Sequence, residues 1–505
     1  MESQRKTQDR ADACIAQNEV SAWDRIADVI VVGFGIAGAC AALEAQSAGA
    51  EVLTIERASG GGGTSALSSG IFYLGGGTAV QNACGVADDA QAMYRFLLAS
   101  TNVGDPSLLR VFCERSVEHF NWLEAQGIPF ERSYFRDKAM CPQSAEGLLG
   151  TGNEKVWPYR ELVPPAARGH RVAREGDNAG SLAMERLISR CTQAGLAALF
   201  DCRASALVRA ANGRVVGVRA MHAGRALHIG ARCGVILATG GFQMNAEMVA
   251  QLLPRLAENS EGIGIPFNDG SGIELGVAAG AETQAMSAVN ATASFYPPSQ
   301  LIKGIIVNSL GERFVAEDSY HGRTAACIME QPGGLAYLIL DADTFAYPLL
   351  REFFQHALVD GWETVPEMER GLDLPNGSLQ RTLADYNEGA KRGVDARLGK
   401  HPDWLKCLDV APYAAFDLSL NHAVYRFHSL GGLKISAEAK VLSKTGHAIP
   451  GLFAAGACAA SIPQDSKGYA SGMTLTTGSL FGRIAGRVAA CEAPHPAILP
   501  QIYSK

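Results

Sequence analysis

The sequence contains cysteines but no closely spaced pairs of them. Its 12 cysteines are scattered over 505 residues, and none belongs to a C-x-x-C pair. Iron–sulfur clusters and structural zinc sites are usually built from closely spaced thiolates, so both are disfavoured. Scattered cysteines are typical of a reducing compartment. We therefore expect a cytoplasmic protein that holds no metal.

Three further features are missing. No basic block stands out in a chain of net charge −7, which argues against nucleic acid as a partner. The first 30 residues are polar and lack the apolar stretch of a signal peptide. The longest apolar region, residues 29–45, is interrupted by glycines and by Glu44. We therefore expect no integral membrane segment.

A dinucleotide-binding pattern occupies residues 29–57. An apolar run is followed by G-F-G-I-A-G, a stretch of small residues, a second apolar run and an acid. Gly33 permits a sharp turn, Gly35 lets the backbone approach a pyrophosphate, and Gly38 lets the helix pack on the strand. Glu56 lies about 20 residues past Gly35, the distance expected for an acid that binds a ribose hydroxyl. The pattern predicts a bound dinucleotide without choosing between NAD and FAD.

The residue composition changes along the chain. Glycine-rich turns are frequent up to about residue 289, give way to aromatics and prolines, and return after residue 428. We therefore predict an N-terminal extension at 1–25, a nucleotide domain built from 26–289 and 428–505, and an inserted substrate or cap domain at 290–427.

Local patterns predict the elements of these segments. We expect residues 1–25 to be helical and residues 105–195 to be mostly helical, with apolar residues at helical spacing in 181–190. Strands are predicted after residue 197, and Asn212-Gly213 between two apolar runs predicts a hairpin. A buried strand at 235–238 leads into a Thr-Gly-Gly turn.

Six motifs occur together in one order. They are the dinucleotide pattern, residues 60–70, 238–242, 268–270, 311–317 and 451–456. With them, almost the whole chain beyond residue 25 resembles the FAD-containing flavoproteins of the fumarate reductase and 3-ketosteroid dehydrogenase superfamily. The resemblance implies an α/β fold, α+β overall, in which a Rossmann-like, glutathione-reductase-like FAD-binding domain carries an inserted catalytic domain. It also implies FAD as the cofactor.

The resemblance further implies which residues hold FAD. Glu56 would bind the adenosine ribose, and the helix that starts after Gly472 would point its N-terminus at the flavin. Covalent members of the superfamily carry a histidine in the stretch equivalent to 64–70, and this chain has none there, so FAD should be non-covalent. The implied FAD-binding residues are Gly33, Gly35, Ile36, Ala37, Gly38, Glu56, Arg57, Thr64, Ser65, Ser69, Gly70, Ala204, Thr239, Gly240, Gly241, Asp269, Gly456, Gly472, Thr474 and Leu475.

Residues 467–473 bear on the substrate. Fumarate reductases carry a motif like N-R-L-G-G-N there, whereas this chain reads K-G-Y-A-S-G-M. A dianion needs charge-matched donors, and a site lined by neutral hydroxyls suits a ketone better. The Gly-Tyr pair resembles the 3-ketosteroid dehydrogenases, although the enzymes that act at carbons 1 and 2 carry Tyr-Pro-Gly-Pro-Gly at this place.

Residues 65–78 and 318–320 extend the resemblance to the 3-ketosteroid dehydrogenases that act at carbons 4 and 5. It implies that Tyr320, Tyr469 and Ser471 face an apolar ketone, a 5α-3-ketosteroid. Ser471 would take a proton from carbon 4, and the two tyrosines would serve as proton relay and keto donor. Hydride would pass from carbon 5 to the flavin and on to an unidentified electron acceptor.

Each candidate also has a plainer interpretation. Tyr320 could simply pack in the core, and Ser471 could cap the last helix. His428 is a candidate for lining the substrate site or a core histidine. Tyr73 and Tyr296 are further lining candidates, with packing the favoured role. A Δ1-dehydrogenase, another flavin ene-reductase, a fumarate-type reductase and a flavin-binding protein without catalysis remain alternative hypotheses.

Overall fold

The described part of the N-terminal extension contains a short strand in the computed structural model, which describes residues 13–140, 144–256, 258–293, 295–349 and 357–498. Cys14–Ala16 is a strand and Gln17–Glu19 a 3-10 helix. The prediction of a helix is wrong for this part, because pairing with the distant strand Cys202–Arg209 outweighs local preference. Residues 1–12 of the extension lie outside the described residues.

Short strands and helices alternate along the described chain. In chain order the strands are β1 (Cys14–Ala16), β2 (Arg25–Val32), β3 (Val52–Ile55), β4 (Ile71–Tyr73), β5 (Tyr134–Phe135), β6 (Leu148–Leu149), β7 (Gly169–Arg171), β8 (Ala197–Leu199), β9 (Cys202–Arg209), β10 (Val215–His222), β11 (Arg225–Leu237), β12 (Ser260–Gly262), β13 (Thr283–Gln284), β14 (Val289–Thr292), β15 (Ile305–Val307), β16 (Tyr337–Asp341), β17 (Ala357–Trp362), β18 (Tyr413–Asp417), β19 (Tyr425–Ser429), β20 (Gly432–Leu433), β21 (Lys440–Leu442) and β22 (Ala448–Ala454). The α-helices are α1 (Ile36–Ser47), α2 (Gly63–Ala66), α3 (Ala79–Ala83), α4 (Ala90–Ser100), α5 (Pro106–Glu114), α6 (Ser116–Ala125), α7 (Tyr159–Leu162), α8 (Ala179–Gln193), α9 (Ala246–Leu252), α10 (Ser271–Ala278), α11 (His321–Met329), α12 (Val365–Gly371), α13 (Ser378–Lys391) and α14 (Met473–Ala490).

A nine-stranded mixed sheet forms the centre of the nucleotide-binding part. Its order is β1-β9-β10-β11-β2-β3-β8, and β22 pairs with both β11 and β21. At its middle, β2 lies parallel to both β3 and β11, and its residues Val29 to Val32 are buried. A continuous apolar run is typical of a parallel strand covered on both faces. Strands from both ends of the chain thus share one sheet, while the domain boundaries themselves stay a prediction.

The secondary-structure predictions are confirmed in some segments and wrong in others. The hairpin at Asn212-Gly213 is confirmed, because Ala210 N–H donates to the Arg214 carbonyl between the antiparallel strands β9 and β10. The strand at 235–238 is confirmed as the end of β11. The mostly helical prediction for 105–195 holds for α5, α6 and α8. It is wrong for much of 126–178, where short strands and irregular loops pack against other parts of the chain.

The first and last long helices touch through their backbones. A Cβ atom on Gly482 would lie 2.4 Å from the Ala37 carbonyl oxygen, and one on Gly486 would lie 2.1 Å from that of Ala41. Residues four apart share a helix face, so these glycines form a flat stripe on α14 that receives α1. None of the helices in the described ranges is long and apolar enough to cross a membrane.

A second unit is built from the middle of the chain. The antiparallel strands β15-β16-β18-β17 form a four-stranded sheet, and α12 and α13 contribute to the same apolar cluster. Buried charges complete this unit, because Glu317 accepts two hydrogen bonds from Arg313 and lies 3.3 Å from the Lys400 ammonium group.

Two smaller sheets stand beside the nucleotide-binding part. One has the order β12-β19-β14, with Asn290 opposite His428 and Thr292 opposite Arg426. The other has the order β4-β7-β6-β5 and brings β4 close to the start of α14. Residues of β14 and β19 form one wall of the cavity described below, and Ile71 of β4 also lines it.

The contact at Gly38 gives a first prediction. A Cβ atom there would lie 1.9 Å from the Gly33 carbonyl oxygen, whereas one on the exposed Gly60 would meet nothing within 4 Å. We expect Gly38→Ala to destabilise the fold by about 1–3 kcal/mol through overpacking, and Gly60→Ala to leave it unchanged. Thermal unfolding followed by circular dichroism measures both. Equal melting temperatures for the two variants would contradict the prediction.

Candidate active site

One elongated cavity of about 470 Å³ runs from the carboxyl end of β2 to the sheet β12-β19-β14. Most of the residues predicted to hold FAD line it, and so do the three residues predicted to react with substrate. The predicted residues that line it are Gly33, Gly35, Ile36, Ala37, Glu56, Arg57, Thr64, Ser65, Ser69, Ala204, Thr239, Gly240, Tyr320, His428, Gly456, Tyr469, Ser471, Gly472, Thr474 and Leu475.

The turn after β2 opens one end of the cavity. Gly33 has a φ of +103°, and a Cβ atom on it would lie 2.4 Å from the Ala238 carbonyl oxygen. Gly35 precedes α1, and the Ile36 N–H donates to Ser65 Oγ over 3.2 Å. The amides of the first helical turn have no carbonyl one turn earlier, so this helix end favours an anion. Gly38 does not line the cavity; it packs beneath it against Gly33.

Glu56 and Arg57 lie beside this turn. The Glu56 carboxylate accepts the N–H groups of Phe34 at 2.7 Å and Ala58 at 2.8 Å, which fixes the loop around it. Each carboxylate oxygen has a further lone pair, so the group can still accept from a ribose hydroxyl. The Arg57 guanidinium lies over the Phe267 ring and pairs with Asp269.

Asp269 itself lies outside the cavity lining. One of its carboxylate oxygens holds Arg57, and the other accepts the Ser271 N–H at 3.0 Å. Burial raises the pKa of this carboxyl and these hydrogen bonds lower it, with a net value below the ordinary one. In the structure Asp269 therefore orients Arg57, and its direct contact with FAD stays a prediction.

Two further glycines predicted at the cofactor pack behind the cavity. Gly70 has a φ of +67°, and a Cβ atom there would lie 2.6 Å from the backbone of Gly180. A Cβ atom on Gly241 would lie 2.3 Å from Ser429 Oγ. Neither residue lines the cavity, so both act on its shape through close packing.

The start of α14 closes the middle of the cavity. Gly472 precedes the helix with a φ of +97°, and a Cβ atom on it would lie 2.6 Å from the Tyr73 backbone nitrogen. Only glycine fits this contact and this backbone conformation. Gly472, Thr474 and Leu475 line the cavity, so a second helix N-terminus faces it.

Hydroxyl groups from distant segments meet at the other end. Tyr320 and Ser471 share a hydrogen bond of 2.9 Å, and Tyr469 and Thr474 share one of 3.0 Å. The Thr474 hydroxyl lies 3.4 Å from His428 Nε2. The rings of Tyr320 and Tyr469 are 6.4 Å apart. This end of the cavity therefore holds two hydrogen-bonded pairs of neutral hydroxyl groups, and the second pair reaches an imidazole.

The shifted pKa values of Tyr469 and His428 keep both side chains uncharged at this end of the cavity. Burial raises the pKa of Tyr469, although its hydrogen bond with Thr474 lowers it in part. Burial lowers the pKa of His428 to about 4. At neutral pH the tyrosine is therefore a hydroxyl donor and the histidine an uncharged imidazole.

Tyr73 and Tyr296 lie outside the cavity lining, contrary to their nomination as lining residues. Both are almost fully buried: the Tyr73 hydroxyl donates to Glu154 at 2.8 Å, and that of Tyr296 reaches the Ser319 carbonyl at 3.5 Å. Each ring packs in the core and each hydroxyl has a hydrogen-bond partner there, which is the packing role that the sequence analysis favoured.

Sequence reasoning missed several lining residues. Asn290 and Thr292 on β14 and Arg426 on β19 face the cavity together with His428, and His321 lines it next to Tyr320. The signal was alternation: in Y-R-F-H-S the polar Arg and His are two apart, and the residues flanking them are buried. Residues two apart share one face of a strand.

The two helix N-termini, the carboxylate and the arginine at the first end fit a dinucleotide with a pyrophosphate. The apolar and hydroxyl-lined remainder fits a flavin and an apolar substrate. Within the described residues, no group of three or more His, Cys, Asp or Glu is placed to hold a metal ion.

Comparisons with known proteins support an FAD-binding role for this cavity. A family model described as an FAD binding domain matches residues 28–468. A 3-oxo-5-alpha-steroid 4-dehydrogenase of Comamonas testosteroni is 30% identical over 86% of this chain and 93% of its own length. A probable fumarate reductase of Shewanella frigidimarina is 28% identical over 92% of this chain and 75% of its own length.

A solved structure is similar in both fold and sequence. It is a 3-ketosteroid Δ4-(5α)-dehydrogenase from Rhodococcus jostii RHA1 in complex with 4-androstene-3,17-dione. Its TM-score is 0.89 and its sequence identity 38%, over 95% of this chain and 99% of that one. FAD is therefore the cofactor, and the chain belongs to the FAD-binding oxidoreductase family that includes 3-ketosteroid dehydrogenases and fumarate reductases.

Proposed function

We propose that this protein dehydrogenates 5α-3-ketosteroids and introduces the C4=C5 double bond, as a step of steroid catabolism. The observation that carries the proposal is the two pairs of uncharged hydroxyl groups at the end of the cavity, in which Tyr320 bonds to Ser471 and Tyr469 bonds to Thr474. The names of the Comamonas and Rhodococcus relatives support the same substrate class.

The proposed chemistry divides the work among three hydroxyl groups. Tyr469, kept protonated by burial, donates a hydrogen bond to the 3-keto oxygen and makes the protons on carbon 4 more acidic. Ser471 takes one of these protons and passes its own to Tyr320, its hydrogen-bond partner, which in turn releases its hydroxyl proton toward solvent. Because serine and tyrosine are weak bases at neutral pH, such a relay is needed. Bound FAD would supply the acceptor for the hydride that leaves carbon 5.

The cofactor residues follow from the same proposal. Gly35, Ile36 and Ala37 would hold the pyrophosphate at the start of α1, and Glu56 would hold the adenosine ribose. Thr474 and Leu475 would bring the start of α14 to the flavin, where helix amides stabilise negative charge. Each of these residues lines the cavity.

A fumarate-type reaction is the less favoured alternative. At the hydroxyl end of the cavity, Lys467 turns outward and pairs with Glu330 at 2.7 Å, and both groups are substantially exposed. Arg426 lines the cavity but pairs with Glu261 at 3.2 Å. A dicarboxylate would meet hydroxyls, neutral imidazoles and a guanidinium that already pairs with Glu261, so its two charges would be poorly matched. A Δ1-dehydrogenase or another ketone-specific ene-reductase keeps the same hydroxyl chemistry and is separated by its product.

The reaction product tests the regiochemistry. Incubated without oxygen with a saturated 5α-3-ketosteroid, the holoenzyme should bleach its flavin absorption and form a C4=C5 enone, identified by mass spectrometry and NMR. A double bond at carbons 1 and 2 alone would refute the proposal in favour of Δ1-dehydrogenation. With fumarate and a reduced dye we expect no turnover.

Removing single hydroxyl groups tests the assigned roles. We expect Ser471→Ala and Tyr469→Phe each to lower kcat by about 100-fold or more, since each removes a group that acts only during proton transfer or on the developing enolate. Tyr94→Phe is the matched control: Tyr94 is half-buried on α4 beside Arg110 and outside the cavity. Stopped-flow flavin reduction measures all three. Unchanged rates in the first two variants would refute the assignment.

The low pKa of His428 predicts the pH dependence. The folded value of about 4 lies below the ordinary 6.5, so the imidazole stays uncharged as pH falls through 6.5. The pH profiles of kcat/KM for the wild type and for His428→Gln should therefore have the same shape between about pH 5.5 and pH 8. An inflection near pH 6.5 that disappears in the variant would contradict a neutral His428.

A further inference from the structure

Residues 151–154, Thr-Gly-Asn-Glu, lie directly behind the hydroxyl end of the cavity. They belong to no helix or strand and are almost entirely buried, and none of them lines the cavity. We call this segment the TGNE brace. It touches both of the chain segments that supply the reacting hydroxyl groups.

Asn153 joins these two segments. Its side chain is 2% exposed; its Oδ1 accepts the backbone N–H of Tyr320 at 2.9 Å, and its Nδ2 donates to the backbone carbonyl of Lys467 at 3.0 Å. The partners are 167 and 314 residues away in sequence. One amide group therefore ties the segment that carries Tyr320 to the segment that carries Ser471.

Two neighbours in the brace make contacts in the same place. The Thr151 carbonyl accepts the backbone N–H of Ser471 at 2.9 Å. A Cβ atom on Gly152 would lie 2.9 Å from the Ala470 Cβ, so the backbone of Gly152 packs closely against the Ala470 side chain.

The last residue of the brace reaches the strand beside α14. Glu154 accepts the hydroxyl of Tyr73 at 2.8 Å, and the backbone of Tyr73 lies against Gly472. The whole brace therefore packs along the segment that contains Tyr469 and Ser471.

We propose that Asn153 is a positioning residue that sets the distance between the Tyr320 hydroxyl and Ser471 Oγ. The proposal rests on the proposed function, in which the proton passes between these two groups. Their 2.9 Å separation is a normal hydrogen bond, and the interaction weakens steeply when distance or angle departs from this range. Small misplacements of reacting groups cost large factors in rate.

The chemistry of the asparagine side chain suits this role. It offers one acceptor and one donor in a fixed plane, and its two partners are a backbone N–H and a backbone carbonyl. Aspartate keeps the acceptor and, when ionised, loses the donor. Alanine loses both, and each orphaned backbone group is then buried without a partner.

Asn387 on α13 provides a matched control. Its Nδ2 donates to the Leu408 carbonyl at 3.0 Å, and its Oδ1 accepts the Leu408 N–H at 2.8 Å. It therefore makes the same pair of backbone hydrogen bonds as Asn153, but outside the cavity lining. Asn387→Ala removes two comparable hydrogen bonds without touching the reacting end.

We expect Asn153→Ala to lower kcat by about 10- to 100-fold with a much smaller change in KM, as displacement of positioned groups does. The FAD content should stay at the wild-type level. Asn387→Ala should lower the melting temperature to a similar degree and leave kcat unchanged. Equal kcat values for the two variants would overturn the proposal, because the effect of Asn153 would then be stability alone.

Asn153→Asp adds a readout that a loss of stability would not move. When protonated, the introduced carboxyl can donate to the Lys467 carbonyl as asparagine does, and when ionised it repels that oxygen. The kcat of this variant, divided by that of the wild type, should therefore rise as pH falls. A ratio independent of pH would count against the donor role.

A crystal structure of the Asn153→Ala holoenzyme completes the test. The Tyr320 hydroxyl and Ser471 Oγ should separate beyond hydrogen-bonding distance. This readout needs no substrate, so a wild-type protein inactive on 3-ketosteroids would overturn the proposed function alone. An unchanged 2.9 Å contact in the variant would overturn the positioning role itself.

Discussion

Backbone contact between the first and the last long helix is the constraint on which the cavity depends. Gly482 and Gly486 of α14 lie against Ala37 and Ala41 of α1, so the two helices run side by side in the same direction. Both N-termini therefore face one cavity. Each carries a partial positive charge, and a dinucleotide with a pyrophosphate at one point and a flavin at another makes use of both. A side chain on either glycine would separate the helices.

The hydroxyl end of the cavity is formed where segments of the chain that do not share a sheet come together. Tyr320 comes from the middle unit, Ser471 from the segment before α14, and Asn153 from a loop that no regular element anchors. Neutral hydroxyls dominate the result, and burial lowers the pKa of the two imidazoles beside them, His321 and His428, so both stay uncharged. The relatives include both steroid dehydrogenases and a probable fumarate reductase. The pairing of Arg426 with Glu261 and of Lys467 with Glu330 favours the ketone over a dianion.

The sequence predicts best where a local pattern has one physical meaning. The glycine turn after β2 and the acid that follows β3 require particular backbone conformations, and the family resemblance extended them to FAD. It predicts less well where contacts come from afar. Asp269 is a polar residue in the right motif, yet its contact is with Arg57, and Tyr73 turns to Glu154, a partner 81 residues away. The TGNE brace lay in a region expected to be helical, because short irregular loops held by tertiary contacts leave no periodic signal.

The nine-stranded sheet has a consequence for the order in which the protein is made. Its strand β22 and the covering helix α14 come from the last 60 or so residues, while β2 and α1 come from the first 50. During synthesis the N-terminal strands and the small-residue face of α1 emerge long before their partners exist. The nucleotide-binding sheet is therefore completed only after the middle unit has been synthesised. A ribosome that stalls in the middle unit releases a chain with an open sheet edge, which other chains can pair with.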